Sequence, residues 1–422
     1  MRHLLTFISA ILLFTACQKD EEAAPYNPVK DVKHTVLVYM PSENNLSPYA
    51  QSEINEMIKG RQLVGDDCAL LIFVDRASKT EMPFIARINN SNEQPVDTLY
   101  KYPTDFYSSE PAKFQEVLQR MISFSPKSQD YGLVLWGHAN GWILENDGTN
   151  VIRRAYGVDN GNNESTQMVK EPARWLNIPD MATSFKQVGK HWRFLFFDCC
   201  NMQNAEVAYE LRGTTDYIIA SPAEITGVGA PYDKLVADFF IEDTEQMTIR
   251  TCADYYAQRT NSSGTVTPTG DCQLPISVVK TSQMQALAEA TKNILPEIQA
   301  WLQTSNPTQG IIYYYNYDSA HKPEREKIMY DMNDMIRAAL AAAPEKFDAW
   351  KKAFTNAVIY AEMSKKWHAN SVNFSDFTVT AEKYGGISMF FPLAKYANAS
   401  HDYNNDIKKL AWYQAVGWNA QQ

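Results

Sequence analysis

The sequence lacks the features that mark several large classes of protein. Its 39 Lys and Arg are outnumbered by 49 Asp and Glu, which gives a formal net charge of −10, and no basic cluster of the kind that binds nucleic acid is present. Past the N-terminus, no apolar run approaches the roughly 18 residues that cross a bilayer. Internal repeats and low-complexity tracts are absent as well. These absences argue against a protein that binds nucleic acid, against one built from repeats, and against a transmembrane segment past the N-terminus.

Metal ligands are also few and poorly spaced. Among 6 Cys and 7 His, four histidines show no zinc-like spacing with one another or with cysteine: His191, His321, His368 and His401. No 12-residue calcium loop of the helix–loop–helix type occurs. No structural metal site is therefore predicted. Cys252 and Cys272 could form a disulfide in an exported protein or remain two buried thiols.

What the chain does contain is ample apolar material. Of its 422 residues, 45% are hydrophobic and 12% are aromatic, which is enough for a well-packed core of one large or two moderate domains.

The N-terminus has the pattern of an export signal. Arg2 precedes an apolar stretch over residues 4–14, and small residues lead to Cys17. The letters FTAC resemble a bacterial lipoprotein box, in which Cys17 would become the lipid-bearing first residue after removal of residues 1–16. Residues 17–33 are polar and charged and predict a flexible tether.

The letters QKDEE within this tether resemble the acidic export signal of surface lipoproteins of Bacteroidetes-type cells. The expected location is the outer membrane, at the cell surface or else at the periplasmic face. The lipid alone would make the membrane contact, because the acidic chain offers no electrostatic attraction to an anionic bilayer.

Apolar runs alternate with amphipathic helical patterns through residues 34–245. Near-continuous apolar strands separated by helices predict an α/β fold with a mostly parallel sheet covered on both faces. Residues 146–174 are rich in Asn, Gly and charge and predict a long exposed loop. Residues 246–422 predict a mainly helical portion, with helices over 282–303 and 332–363 and strands returning at 274–279 and 385–392.

Two predicted strands end in residues that can do chemistry. One strand lies in the stretch LVLWGHANGW and is followed by His138. The other lies in FLFFDCCNM and is followed by Cys199 and Cys200. Ligands bind beyond the carboxyl ends of strands in such sheets. If the two strands are neighbours, an imidazole meets a thiol, which is the pairing a cysteine nucleophile needs. Structural roles for both residue types remain the alternative.

Four motifs, in order, resemble the clostripain family of cysteine peptidases: TVLVYMPSENNL, LVLWGHANGW, DCCNM…EVAYEL and GGISMFFP. The fold of that family is related to those of caspases and gingipains, and the resemblance runs from about His34 to the C-terminus. It implies a caspase-like three-layer αβα sandwich, with the catalytic core in residues 34–245 and the rest of the clostripain-like region in 246–422.

The resemblance also implies residue roles. His138 matches the general acid/base and Cys200 the nucleophile, while Cys199 would be a buried spacer. The oxyanion hole would use the backbone amides of Cys200 and Ala139, and a helix starting after Cys200 would stabilise its thiolate. Two positions depart from the family pattern, since Ala139 replaces a usual glycine and Asn201 a usual apolar residue.

The substrate and maturation follow from the same resemblance. Asp198 would bind a basic side chain before the scissile bond, and its alternative role is a cap on a helix near Met202. Self-cleavage would occur at Arg153 or Arg154, with Lys170 and Arg174 as weaker candidates.

The expected activity is therefore that of a cysteine endopeptidase acting on peptides or proteins after Arg or Lys, through a thioester acyl-enzyme. The chemistry requires no cofactor, and calcium is implied by the resemblance alone. The alternative is a catalytically silent lipoprotein of the same fold that binds peptides or partner proteins. The oligomeric state is not predicted.

Overall fold

The computed structural model describes residues 31–144, 155–161, 167, 173–258, 274–316, 327–367, 375–398 and 403–418. The export signal with Cys17 lies outside the described residues, as do Arg153, Arg154, Lys170 and Cys272.

The described residues form fourteen strands: β1 (Val32–Ser42), β2 (Cys68–Arg76), β3 (Phe84–Ile88), β4 (Val96–Lys101), β5 (Ser128–Trp136), β6 (Tyr156–Asp159), β7 (Arg174–Leu176), β8 (Trp192–Asp198), β9 (Tyr217–Ala220), β10 (Ile276–Lys280), β11 (Tyr313–Asn316), β12 (Lys327–Asp331), β13 (Val358–Glu362) and β14 (Ser388–Met389).

They also form twelve α-helices: α1 (Ser47–Arg61), α2 (Pro111–Phe124), α3 (Ile178–Val188), α4 (Ala205–Leu211), α5 (Tyr232–Asp238), α6 (Thr244–Ala257), α7 (Met284–Asn293), α8 (Leu295–Leu302), α9 (Met332–Ala339), α10 (Pro344–Ala357), α11 (Tyr403–Asp406) and α12 (Ala411–Ala415). Short 3₁₀ segments occur at Thr281–Gln283, Ala394–Asn398 and Ile407–Lys409.

A nine-stranded sheet forms the centre of the protein, in the order β13-β10-β9-β8-β5-β1-β2-β3-β4. Its middle is parallel, because β1 pairs in parallel with β2 and β5, β5 with β8, and β8 with β9. Antiparallel pairs occur toward both edges, through β3 with β4 and β10 with β13. The mostly parallel sheet predicted from the apolar runs is confirmed.

Alternate residues of the strands feed two cores on opposite faces of the sheet. Leu37 and Tyr39 pack in one core with α2, α3 and α4, while Val36 and Val38 pack in the other with α1, α5 and α6. This alternation is what a strand buried on both faces requires. It confirms the three-layer αβα architecture.

The two long helices predicted in the C-terminal portion are each broken in the structure. The expected helix over 332–363 is α9, α10 and the edge strand β13. The expected helix over 282–303 is interrupted at Ile294, where α8 begins with a proline in its first turn. Pro296 and Pro344 are each tolerated at a helix start but would break a helix interior. The β-branched Val358 and Ile359 favour the strand that follows.

The hairpin of β3 and β4, which extends one edge of the sheet, was not predicted. Neither was β6, which lies within the segment predicted to be a loop and pairs with β7. The strand predicted at 274–279 is β10, which returns to the other edge of the central sheet and pairs there with β13. The strand predicted at 385–392 contains β14, which does not join the central sheet but forms a separate three-stranded sheet with β11 and β12. Within the described ranges, none of the helices combines the length and apolar character that a bilayer crossing demands.

Candidate active site

The candidate site lies where β5 and β8 end side by side. Trp136, the last residue of β5, pairs with Asp198, the last residue of β8, and the Gly137 amide donates to the Asp198 carbonyl at 3.3 Å. The φ of 133° at Gly137 is one that side-chain-bearing residues rarely adopt. His138 and Cys200 follow immediately, and both line one cleft of about 300 Å³. The predicted meeting of the two strand ends is confirmed.

The two adjacent cysteines face opposite sides of the sheet. The Cys199 thiol is fully buried and donates to the Leu135 carbonyl at 3.2 Å. The Cys200 thiol lies in the cleft, where the Ile225 amide donates to its sulfur at 3.4 Å. Cys199 is therefore a packing residue, as expected, and Cys200 is the thiol that a substrate can reach.

The Cys200 thiol is held in its protonated form. Burial at the bottom of the cleft raises its pKa to about 12, and the nearby Glu224 carboxylate adds to the rise, while the Ile225 amide opposes it. The expected help from a helix dipole is missing, because α4 begins only at Ala205. A base must therefore remove the thiol proton during the reaction.

His138 is oriented by a residue that the sequence reasoning missed. Its Nε2 lies 2.6 Å from Asn45 Oδ1, so Nε2 carries the proton that it donates to this amide oxygen, and Nδ1 is the basic nitrogen. Asn45 follows β1, the strand next to β5. Its neighbour Asn44 holds the turn by donating to the Pro41 and Val158 carbonyls at 3.1 and 2.8 Å.

The amides expected to form the oxyanion hole have no acceptor among the described residues. The segment carrying Ala139 is held by its neighbours, since Gly157 donates to the His138 carbonyl at 2.7 Å and Asn140 to the Ala155 carbonyl at 2.9 Å. Ala139 has no positive φ, whereas Asn201, directly after Cys200, has a φ of 59°. Asparagine tolerates this left-handed conformation better than most residues. Both departures from the family pattern therefore fit the backbone locally.

Asp198 forms part of the cleft floor. Its Oδ2 accepts hydrogen bonds from the Ala230 amide at 3.0 Å and the Tyr232 hydroxyl at 2.9 Å. Its Oδ1 accepts one from the Tyr255 hydroxyl at 3.1 Å. None of these donors belongs to α4, so the alternative role as a helix cap is wrong. Burial raises the pKa of Asp198, and these three donors counter the rise.

A second buried acid stands beside Asp198 and was also missed. Glu53 on α1 is 2% exposed, and burial followed by the Asp198 charge raises its pKa to about 10. Gly229 separates the two acids, since a Cβ there would lie 3.0 Å from Asp198 Oδ2 and 3.2 Å from Glu53 Oε1. The sequence did contain a signal for Glu53, because it is an acidic residue within the apolar face of α1, between Ala50 and Met57.

Comparison with known protein families gives a match over most of the chain. The sequence model of the clostripain family, a peptidase family, matches residues 38–421. The chain belongs to this family. The family resemblance carried by the His138 and Cys200 motifs is thereby confirmed.

Solved structures of family members share the fold. A secreted C11 cysteine protease from Bacteroides thetaiotaomicron, in complex with an irreversible peptide inhibitor, is 27% identical, with a TM-score of 0.73 over 92% of this chain and 99% of that chain. An inactive zymogen C11 protease from Parabacteroides distasonis has a TM-score of 0.71 over the same shares at 24% identity, a likeness of fold alone.

One curated relative is clostripain from Hathewaya histolytica, which is 26% identical over 237 residues. That match spans 50% of this chain and only 42% of the relative.

Replacing Glu224 by Gln tests the electrostatics of the thiol. Because the Glu224 charge raises the pKa of Cys200, its removal lowers that pKa. The rate of Cys200 alkylation by iodoacetamide near neutral pH should rise roughly threefold or more. The rate is followed by mass spectrometry of the Cys200 peptide. Glu93→Gln, an exposed acid between β3 and β4, should leave it unchanged, and a slower Glu224→Gln reaction would contradict the account.

Replacing Asn45 by Ala tests the orientation of His138. Loss of the acceptor frees the ring to rotate and to exchange its proton between nitrogens. With a peptide substrate, kcat should fall about 10- to 100-fold while KM changes little, and the acidic limb of the pH–rate profile should shift. Asn55→Ala, on the exposed face of α1, is the matched control. An unchanged kcat and pH profile for Asn45→Ala would remove Asn45 from the site.

Proposed function

We propose that this chain is a cysteine endopeptidase that cleaves peptide bonds after Arg or Lys. The observation that carries the proposal is the pairing of β5 with β8, which brings His138 and Cys200 to one cleft with Asp198 at its floor. Membership of the clostripain family supports it.

The reaction would begin with proton transfer from Cys200 to His138 Nδ1. The thiolate attacks the scissile carbonyl, and the developing oxyanion accepts hydrogen bonds from the Cys200 and Ala139 amides, each worth about 3 kcal/mol in comparable sites. The imidazolium then returns the proton to the leaving amine, and a thioester remains on Cys200. Water, deprotonated by His138, hydrolyses the thioester and restores the thiol.

The residue before the scissile bond would place its side chain above Gly229. Asp198 and Glu53 are both buried there. Because burial and the Asp198 charge raise the pKa of Glu53 to about 10, the two acids do not both carry a charge at neutral pH. A guanidinium or ammonium group entering the cleft would favour the ionised acids and form charge-assisted hydrogen bonds. An uncharged side chain would neither favour the ionised acids nor form these charge-assisted hydrogen bonds.

Maturation by self-cleavage is part of the proposal. Arg153 and Arg154 directly precede Ala155, whose carbonyl is bonded to Asn140 in the segment after His138. A cut at Arg154 would therefore create a new chain end next to the candidate site.

The catalytically silent alternative lacks a specific observation in its favour. It depended on Ala139 and Asn201 as departures from the family pattern. Both residues adopt backbone conformations suited to their types, and neither displaces His138 or Cys200 from the cleft.

The decisive experiment compares the two cysteines. With fluorogenic peptides ending in Arg or Lys, Cys200→Ala should lose turnover and remain a single chain, while Cys199→Ala should keep both activity and processing. Cys199 is the matched control because it is the same residue type at the same strand end with its thiol facing the core. Equal turnover by wild type and Cys200→Ala, or faster wild-type cleavage after Glu or Leu than after Arg, would refute the proposal.

The N-terminal pattern supports a lipid anchor at Cys17. We expect cells given an alkyne fatty acid to label wild-type protein and to leave Cys17→Ser unlabelled, with that variant released from the membrane fraction. Cys252→Ser, which alters a buried thiol in α6, serves as the control and should label normally. Equal labelling of Cys17→Ser would exclude the anchor.

A further inference from the structure

Asn204 occupies the position before the first residue of α4, yet its side chain does not cap that helix. An asparagine at this position normally accepts a hydrogen bond from a backbone amide of the first turn, and no such bond forms here. The side chain is also fully buried, at 0% exposed. A buried amide side chain is costly unless its polar atoms find partners. The partners of Asn204 therefore indicate what the residue does.

One partner lies in the segment that follows Cys200. Asn204 Nδ2 donates to the Asn201 carbonyl at 2.9 Å, and the Asn201 amide donates to the Ala223 carbonyl at 3.0 Å. The peptide groups on both sides of Asn201, the residue with the left-handed φ of 59°, are thus held by hydrogen bonds. The backbone directly after Cys200 therefore depends on Asn204 for its conformation.

The same side chain also lies against the segment that follows His138. A Cβ on Gly141 would be 2.3 Å from Asn204 Oδ1 and 2.6 Å from the Asn201 carbonyl oxygen. Only a glycine fits there, and its φ of 65° is one that glycine adopts readily. The neighbouring Asn140 has its Oδ1 3.4 Å from Asn201 Nδ2. The two segments of the site therefore pack directly on each other, with Asn204 at their contact.

The C-terminal portion of the chain holds Asn204 from the other side. Asn204 Nδ2 also donates to the Ser388 hydroxyl on β14 at 2.8 Å, and the Ser388 amide donates to the Gln203 carbonyl at 3.0 Å. Further along, the Phe390 amide donates to Glu206 on α4 at 2.8 Å. A strand outside the central sheet thus supports the segment that leads from Cys200 into α4.

We propose that Asn204 is a positioning residue that fixes the separation of the two segments carrying His138 and Cys200. It cannot touch a substrate, because it is fully buried and does not line the cleft. The two amides expected at the oxyanion hole, those of Ala139 and Cys200, lie one in each segment. Their separation therefore depends on the contact at Asn204. The effect on catalysis rests on the proposed function, whereas the contact itself does not.

Loss of this contact should affect the transition state more than the bound substrate. Oxyanion donors act only when they lie about 2.7–3.1 Å from the oxygen that becomes negatively charged. A displacement of one segment lengthens one of these hydrogen bonds, while the floor of the cleft with Asp198 stays in place. Interactions made only in the transition state change kcat and leave KM nearly constant.

The experiment compares Asn204→Ala and Ser388→Ala with wild type on a fluorogenic arginine peptide. Active enzyme is counted by titration with an irreversible chloromethyl ketone. We expect kcat to fall about 10- to 100-fold in Asn204→Ala and roughly 3- to 10-fold in Ser388→Ala, while KM changes less than about twofold. Asn293→Ala, at the exposed end of α7, is the matched control and should keep full activity.

A peptide aldehyde that ends in arginine separates positioning from a role in folding alone. The Cys200 thiol adds to the aldehyde carbon and the proton passes to its oxygen, which gives a tetrahedral adduct resembling the transition state. The inhibition constant of the aldehyde should rise by about the same factor by which kcat falls. The double variant Asn204→Ala/Ser388→Ala should be no slower than Asn204→Ala, because Ser388 acts through Asn204. A residue needed only for folding would lower the melting temperature and leave both constants unchanged.

The outcomes distinguish this proposal from the proposed function. If wild-type turnover is lost in Cys200→Ala but both new variants keep wild-type kcat and aldehyde inhibition, the positioning role is wrong and the peptidase stands. A rise in KM alone would also contradict it. If Cys200→Ala is as active as wild type, the proposed function fails and the positioning role fails with it. Ser388→Ala, which keeps Asn204 and removes only its partner on β14, decides the question should Asn204→Ala not fold.

Discussion

The parallel pairing of β5 with β8 is the constraint on which the candidate site depends. Gly132 on β5 faces Phe194 on β8 in register, and a Cβ on Gly132 would lie 2.2 Å from the Phe194 ring. The glycine therefore allows an aromatic side chain to fill the space between the strands and the helices above them. Because the strands are parallel and in register, their carboxyl ends coincide, and His138 and Cys200 emerge into one cleft.

Burial of acidic groups is a second feature of the structure, and its consequence differs from one group to the next. At Cys200 it keeps the thiol protonated, so the proposed mechanism needs His138 to accept the proton. At Asp198 and Glu53 it raises the pKa of both carboxyl groups, and the proposed partner of these acids is a cationic substrate side chain. At Asp75 it leaves a carboxylate without a hydrogen-bond donor among the residues that the structure describes. In each case the low dielectric of the interior makes an unpaired charge costly and a matching partner valuable.

The sequence predicted the parts of the fold that local patterns control. Apolar runs located β1, β2, β5 and β8, and the family motifs identified the two residues at the strand ends. The patterns could not show that α9 and α10 are separate, since the alanine-rich stretch between them suits a helix and only Pro344 signals a new start. They also could not place Asn45 or Glu53, because these residues reach the site from other strands and helices. Their roles depend on tertiary contacts, which the local spacing of residues in the sequence does not show.

The most direct test of the account is a crystal structure of the protein after reaction with a peptide chloromethyl ketone that ends in arginine. The account predicts a covalent bond to Cys200 Sγ, an imidazole of His138 beside that sulfur, and the arginine guanidinium above Gly229 within hydrogen-bonding distance of Asp198. A bond to Cys199, or an arginine side chain directed away from Asp198 and Glu53, would contradict it.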